Sequence, residues 1–289
     1  MVISQFHALY KTEGLSKKVM ESFRNIVYTY FNQHGRDFPF RKDLTPYKVL
    51  VSEMMLQQTQ AGRVAEKYLA FIEKFLDFVA LSKASLEEVL KAWQGLGYNR
   101  RAVALKKIAE IIVNDYDGRL PETVEALEKL PNIGFNTASS IVAFAYNKPV
   151  VFIETNIRRV YIHFFFPGKK EIKDKEILPI VRATLDLNNS RKWYYALMDY
   201  GVMLKKKFPN LNKRSAHYKK QASFKGSNRQ LRGKVLKHLL SVSETSMSAL
   251  LEAIQCDKKK LSSVIRQLVK EGFLSLEENK ISVNDSKSP

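Results

Sequence analysis

Cysteine is nearly absent: Cys256 is the only one in 289 residues. A lone thiol excludes an intrachain disulfide and any cysteine-ligated iron–sulfur cluster or structural zinc site. Acids are also scarce, with 29 Asp and Glu against 48 Lys and Arg, a formal net charge of +19. No apolar run approaches the roughly 20 residues that a membrane span needs. The surplus charge therefore points to nucleic acid, not a membrane, as the polyanionic partner. No grouping of His, Asp and Glu has metal-ligand spacing, and His163 in Ile162-His-Phe-Phe-Phe166 reads as part of an aromatic core. The opening Met1-Val-Ile-Ser-Gln-Phe has no basic stretch followed by an apolar core, so no secretory signal is expected. The expected compartment is the cytoplasm at the nucleoid, or the nucleus in a eukaryote.

What is present is helical periodicity. Apolar residues recur at helical spacing over 19–31, 47–59, 64–75, 86–93, 101–115, 124–130, 137–145, 157–165, 175–187 and 193–204. Gly35, Pro46, Gly95 with Gly97, Gly118, Pro131 with Gly134, and Pro167 with Gly168 punctuate them. Val150–Ile153 is a short apolar run that reads as extended. Residues 210–227 read as a linker or irregular basic loop. Beyond it, 230–240, 246–254 and 258–271 read as three helices, and 272–283 alternates like a hairpin turning at Glu278-Asn279. Three helices and a hairpin make a winged-helix pattern, with Lys258, Lys259, Lys260, Arg266 and Lys270 on its third helix. Such modules bind DNA or proteins. From Tyr200 to Ser243 there are twelve Lys or Arg and no acid, the mark of a phosphate-facing surface.

Three segments carry candidate chemistry. Leu130-Pro-Asn-Ile133-Gly134-Phe-Asn136-Thr137 joins two helices through a tight turn, with Gly134 supplying the turn and Asn132 suited to a left-handed conformation. The open N-terminus of the second helix can hold one phosphate without reading sequence, although Pro-x-x-Gly also occurs in ordinary helix connections. In Pro46–Gln60, Glu53 stands among Leu50, Val51, Met54, Met55 and Leu56. Burial there favours a neutral carboxyl, as a general acid requires; the plain alternative is a surface glutamate. The polar Gln57-Gln58-Thr59 that follows can fill the gap left by a flipped nucleotide. Glu154 follows an apolar run and opens a helix, where it or Thr155 is the cap. Two carboxylates near one scissile bond make the glycosidase arrangement: one protonates the leaving group, the other stabilises the sugar cation or activates water.

Together with Pro39-Phe-Arg41, Trp93-Gln-Gly-Leu96-Gly-Tyr98-Asn-Arg-Arg-Ala102 and Leu197-Met-Asp199-Tyr-Gly201, these segments fall in the order of a known family. From about Phe31 to Tyr218 the chain resembles the helix-hairpin-helix DNA glycosylases, within them the adenine-excising MutY branch. Its most specific element is the Glu53 helix ending in Gln-Gln-Thr-Gln. The resemblance implies an all-α, two-lobed glycosylase fold over 1–226, one lobe spanning 45–148 and the other 1–44 plus 149–226, with the winged-helix-like part at 227–289. It implies that Glu53 protonates the departing base and handles the attacking water. Glu154, where the family has aspartate, stabilises the sugar cation, and Asn156 positions it. Arg36 and Arg41 line the base pocket; Tyr194-Tyr195 is a further candidate there, against a core role. Gln57, Gln58 and Thr59 occupy the vacated stack, and Leu96 and Tyr98 wedge beside the orphan base. Ile133, Gly134, Asn136 and Thr137 hold a phosphate.

Asn136 stands where relatives such as endonuclease III have lysine, so no Schiff base can form at the sugar and the implied activity is monofunctional. The implied partner is double-stranded DNA with a mispair or oxidised base, bound by a monomer. The branch carries a Cys-x6-Cys-x2-Cys-x5-Cys array after the Leu-Met-Asp segment; that spacing lands here on Lys205, Asn212, Ser215 and Gln221. No iron–sulfur cluster is therefore expected, and a monovalent cation on hairpin carbonyls would leave no side-chain signature. Lys205, Lys206, Lys207, Lys213 and Arg214 are expected to tether this loop through phosphates instead. Adenine opposite 8-oxoguanine or guanine is the expected target. Thymine or uracil mispaired with guanine is the rival within the enzyme class, and a DNA-binding protein with a decayed catalytic domain is the rival outside it.

Overall fold

The computed structural model describes residues 3–220 and 223–284, so Met1, Val2 and the projected Gln221 position lie outside it. Fifteen α-helices occur among the described residues. The first seven are α1 (Ile3–Glu13), α2 (Lys17–His34), α3 (Pro46–Leu56), α4 (Ala61–Lys74), α5 (Phe78–Lys83), α6 (Leu86–Trp93) and α7 (Arg100–Asp115). Next come α8 (Val124–Leu127), α9 (Phe135–Tyr146), α10 (Thr155–Phe165), α11 (Asp174–Thr184) and α12 (Ser190–Lys207). The last are α13 (Asn228–Val242), α14 (Met247–Ile254) and α15 (Lys258–Lys270). Three short strands, β1 (Glu244–Ser246), β2 (Leu274–Glu277) and β3 (Lys280–Val283), make the one sheet. Val150–Ile153 is in neither a helix nor a strand. No helix of the described residues is long and apolar enough to cross a membrane.

The helix starts follow capping chemistry. Ser16 accepts from the Val19 amide, Ser85 and Glu88 form a reciprocal capping box, and Asp257 accepts from the Lys260 amide. Two helices were not expected from periodicity. α5 is one and a half turns, too short to show a period, and is started by Asp77 accepting from Ala80. α1 contributes a single fully buried residue, Phe6. That ring meets Phe164 edge-on at 5.1 Å and Phe165 at 5.5 Å. α3 stops at Leu56, short of the expected 59, because Gln58 takes a positive φ of 56°.

The chain divides into two compact units, one of 1–50, 122–129 and 133–220, the other of 51–121, 130–132 and 221–289. These ends differ from the expected lobes. Helix α9 belongs with α12 in the first unit, where Phe144 stacks on Tyr195 at 4.6 Å, so the last stretch of this unit starts at 133 and not at 149. The core of this unit is aromatic: Phe6, Phe23, Tyr161, Phe164 and Trp193 are fully buried, and edge-on ring pairs each add about 1 kcal/mol beyond area burial. His163 sits on this cluster against Phe164 and Phe208; burial lowers it to about 4, so it is neutral at physiological pH.

In the second unit, α4, α6 and α7 bury Val64, Phe71, Leu90, Trp93, Leu105, Ile108 and Ile112. The described residues 223–284 cluster with these helices instead of standing apart. Their own order is α13–β1–α14–α15–β2–β3, with β3 central and antiparallel to both neighbours. The hairpin turns at Glu278 and Asn279, both at positive φ (45° and 68°), as a two-residue turn of this hand requires. Strand β1, absent from the sequence reading, adds the third strand of the winged-helix topology.

Candidate active site and nucleic-acid interface

On α3, Glu53 is half-buried between buried Ser52 and Met54, not enclosed as expected from its neighbours. One helical turn later the chain leaves the helix at a knuckle, whose shape is set by a residue that sequence reading passed over. Arg101 is 3% exposed. Its terminal nitrogens donate to the carbonyls of Met54, Met55, Gln57, Leu96 and Gly97 at 2.6–3.1 Å and to the Thr59 hydroxyl at 3.0 Å. A helix end leaves carbonyls without intrahelical partners, and a planar five-donor fork can collect several at once. Burial lowers Arg101 to about 10, so it stays charged at neutral pH. It also lies over the rings of Trp93 and Tyr98, at 5.3 and 5.5 Å. The signal was present in Asn-Arg-Arg-Ala, but charge alone does not say which of two adjacent arginines turns inward.

This network sorts the predicted intercalating residues. Gln58 is exposed and projects from the knuckle. Gln57 instead pairs with the hairpin: its amide nitrogen donates to the Asn132 carbonyl at 3.4 Å, and the Asn132 amide donates back at 3.2 Å. Thr59 is a buttress, since its hydroxyl accepts from Arg101 and donates to the Leu96 carbonyl at 3.2 Å. Leu96 is only 3% exposed and packs inward, so it is corrected from wedge to core. Tyr98 keeps a half-exposed ring at φ 47°, with its hydroxyl accepting from Arg229.

At the hairpin, Asn132 takes the left-handed conformation (φ 59°) as expected. Gly134 is the extended cap of α9 (φ −101°), and a Cβ there would meet no protein atom within 4 Å. No side chain caps α9, whose first turn presents exposed Phe135 and Asn136 and half-buried Thr137. Ile133 is buried and anchors the turn. An uncapped helix start with open space before it is suited to a phosphate oxygen.

Glu154 is the cap of α10. Its Oε1 accepts from the amides of Asn156 at 2.6 Å and Ile157 at 2.9 Å, and the Asn156 side chain reaches Oε2 at 3.4 Å. Burial pushes the carboxyl above the usual carboxylate range, against the pull of those amides and of Arg159. Asn156 is fixed in turn, accepting from Arg159 at 2.7 Å, and the same guanidinium nitrogen donates to the Gly201 carbonyl at 2.8 Å. Helices α10 and α12 cross so tightly here that a Cβ on Gly201 would lie 2.5 Å from the Asn156 carbonyl oxygen. Gly201→Ala is therefore expected to cost about 1–3 kcal/mol. It should also lower any activity that uses Glu154, because errors of about 1 Å at a reacting group can cost on the order of 100-fold. Thermal melting and single-turnover assay of the variant check both; an unshifted melt would show the crossing to be loose.

Arg36 and Arg41 do not stand open to a base. Both grip Asp199, whose side chain is 1% exposed: the Arg36 amide and Nε donate at 2.7 Å, and Arg41 donates at 2.9 and 3.0 Å. Arg41 also covers Tyr195 at 4.4 Å, while Tyr194 is core, donating to the Val150 carbonyl. Burial works to raise Asp199, and the bonds and charges of Arg41 and Arg36 outweigh it, holding the carboxyl low. Stability from this cluster is present above the unfolded carboxylate pKa of about 3.9 and is lost as pH falls through the depressed folded value. Asp199→Asn is accordingly expected to cost about 2–4 kcal/mol at neutral pH, with the gap to the parent closing below about pH 3. Denaturation at both pH values tests this; a gap that persists in acid would rule out the ionised pair as its source.

The basic loop splits as well. Lys205, Lys206, Lys207 and Lys213 are exposed, but Arg214 turns inward onto the carbonyls of Phe166 and Lys169. Of the positions projected for cluster ligands, Lys205 is exposed, while Asn212 and Ser215 are buried. Asn212 donates to the Thr155 carbonyl at 3.0 Å, and Ser215 bridges to Ile172. The loop is thus held to α10 and its outgoing turn by hydrogen bonds within the protein, with Lys205, Lys206, Lys207 and Lys213 exposed. Among the described residues no three of His, Cys, Asp and Glu form a metal-holding group.

The sequence model of the HhH-GPD superfamily base excision DNA repair proteins matches residues 51–181. The adenine DNA glycosylase of Buchnera aphidicola subsp. Baizongia pistaciae is 32% identical over 187 residues, 63% of this chain and 52% of that protein. The thymine/uracil-DNA glycosylase of Methanothermobacter thermautotrophicus is 29% identical over 196 residues, 66% of this chain and 88% of that one. The chain thus spans about half the length of that adenine glycosylase. Among solved structures, a thermostable thymine-DNA glycosylase aligns with a TM-score of 0.58 and 28% identity, covering 64% of this chain and 86% of its own. Residues 51–181, somewhat under half of the chain, are thus similar to the HhH-GPD superfamily of base excision DNA repair proteins.

Proposed function

We propose that the chain is a monofunctional DNA glycosylase of base excision repair, hydrolysing the N-glycosidic bond of a mispaired base flipped out of duplex DNA. The observation that carries this reading is the α3 assembly. An accessible acid, Glu53, stands one turn ahead of a knuckle that Arg101 makes rigid and that projects Gln58. A binding protein needs the knuckle but not the acid. Glu53 protonates the leaving base, and Glu154, oriented by Asn156, stabilises the positive charge that develops on the sugar. Gln58 and Tyr98 fill or flank the vacated position, and the open start of α9 takes a phosphate. Asn136 offers no amine to the sugar, so the product is an intact abasic strand.

The base we assign is adenine opposite 8-oxoguanine or guanine, supported by the Gln57-Gln58-Thr59 string. A second reading, thymine or uracil opposite guanine, draws support from the thymine/uracil relative, which the chain matches over 88% of its length. Single-turnover assays on a panel of mismatched duplexes, with and without alkaline cleavage, separate them. Adenine release that needs alkali for strand scission is expected; scission without alkali would defeat the monofunctional assignment.

A further inference from the structure

The C-terminal module carries a surface that base excision leaves unused. Helix α15 exposes Lys258, Lys259, Lys260, Arg266 and Lys270, and its sequence contains no acid. None of the five is held in an ion pair among the described residues. Of the acids nearest in sequence, Glu252 on α14 is exposed, and Asp257 and Glu271 are engaged. Asp257 caps the helix, accepting from the Lys260 amide at 2.8 Å. Glu244 holds Lys280 at 3.1 Å. Glu271 is gripped by Arg100 and Arg232, whose hydrogen bonds drive it down to about 2.

Leu261, Val264, Ile265 and Leu268 fill the inward face of α15. On the outward face Lys259, Ser263, Arg266 and Lys270 follow one another at helical spacing. Their stripe runs about 16 Å, roughly five base-pair steps of a duplex. Ser262 and Ser263 keep its centre low, so a backbone can approach between the cations. The hairpin tip has the opposite sign, with Glu277 and Glu278 both exposed, and would repel phosphate. Glu271, which closes the helix, is pinned to Arg100 at the start of α7, two residues beyond Tyr98.

We propose that the outward face of α15 is a second duplex-DNA surface, gripping phosphates beside the lesion contact and lengthening the footprint. This rests on the chain acting on duplex DNA, not on which base it removes. The test compares the parent with full-length protein carrying Lys259→Gln, Arg266→Gln and Lys270→Gln. Salt titrations of binding are made on a lesion duplex of about three helical turns and on one of about a single turn. On the long duplex the slope of log affinity against log salt is expected to fall by about three, near one per lost phosphate contact. The slope on the short duplex and the single-turnover rate at saturating enzyme are expected to hold. An unchanged slope on the long duplex overturns the proposal and leaves an acidic protein as the partner chemistry. An equal loss on the short duplex overturns the placement beside the lesion. Because binding is read without turnover, a protein that shows the slope loss yet releases no base would sink the enzyme assignment alone.

Discussion

Glu53→Gln is expected to lower the single-turnover rate of base release by about 10²–10⁴-fold while affinity for the lesion duplex does not fall. Glutamine keeps the size of the side chain but has no acidic proton to give a departing base. Buried Ser52 and Met54 on either side hold this stretch of α3 in place, so the substitution tests chemistry and not folding. If the parent itself releases no base from any duplex, the chain is a binder whose catalytic domain has decayed. If Glu53→Gln releases base at the parental rate, another group supplies the proton.

Arg101→Ala is expected to cost roughly 3–5 kcal/mol, because it strands buried carbonyls at about 1–3 kcal/mol each before local relaxation. Arg101→Lys should recover only part of this, since an ammonium has three donors and no planar fork. The functional loss should exceed what the melting temperature alone explains, because Met54, Met55, Gln57, Thr59, Leu96 and Gly97 are all held by this one guanidinium. Melting and duplex affinity measured on the same variants decide the matter. A stable Arg101→Ala protein that binds lesion DNA normally would show that the knuckle keeps its shape without the staple.

Much of the helical frame was legible because burial on one side of a helix imprints a period on the chain. The segments around Val64, Trp93, Ile108 and Leu197 were found that way. Helix α5 was not, since six residues cannot show a period, and β1 was not, since three residues alternate by chance. The hairpin turn at Glu278-Asn279 and the left-handed Asn132 were readable from turn chemistry, whereas the open space that Gly134 leaves before α9 was not.

Residue types by themselves set the surplus of positive charge, left a single cysteine and placed acids at 53 and 154 beside apolar runs. Only the tertiary structure decided which polar groups face outward. Arg36, Arg41 and Arg214 were counted as ligand-facing cations and proved to be bound to Asp199 or to backbone carbonyls. Arg101 went unnoticed and organises the knuckle, and Leu96 changed from a wedge into core. The reason is physical. An arginine's charge is fixed by its chemistry, but its direction is set by which unpaired carbonyls and carboxylates the fold brings within reach, and those partners lie far away in sequence.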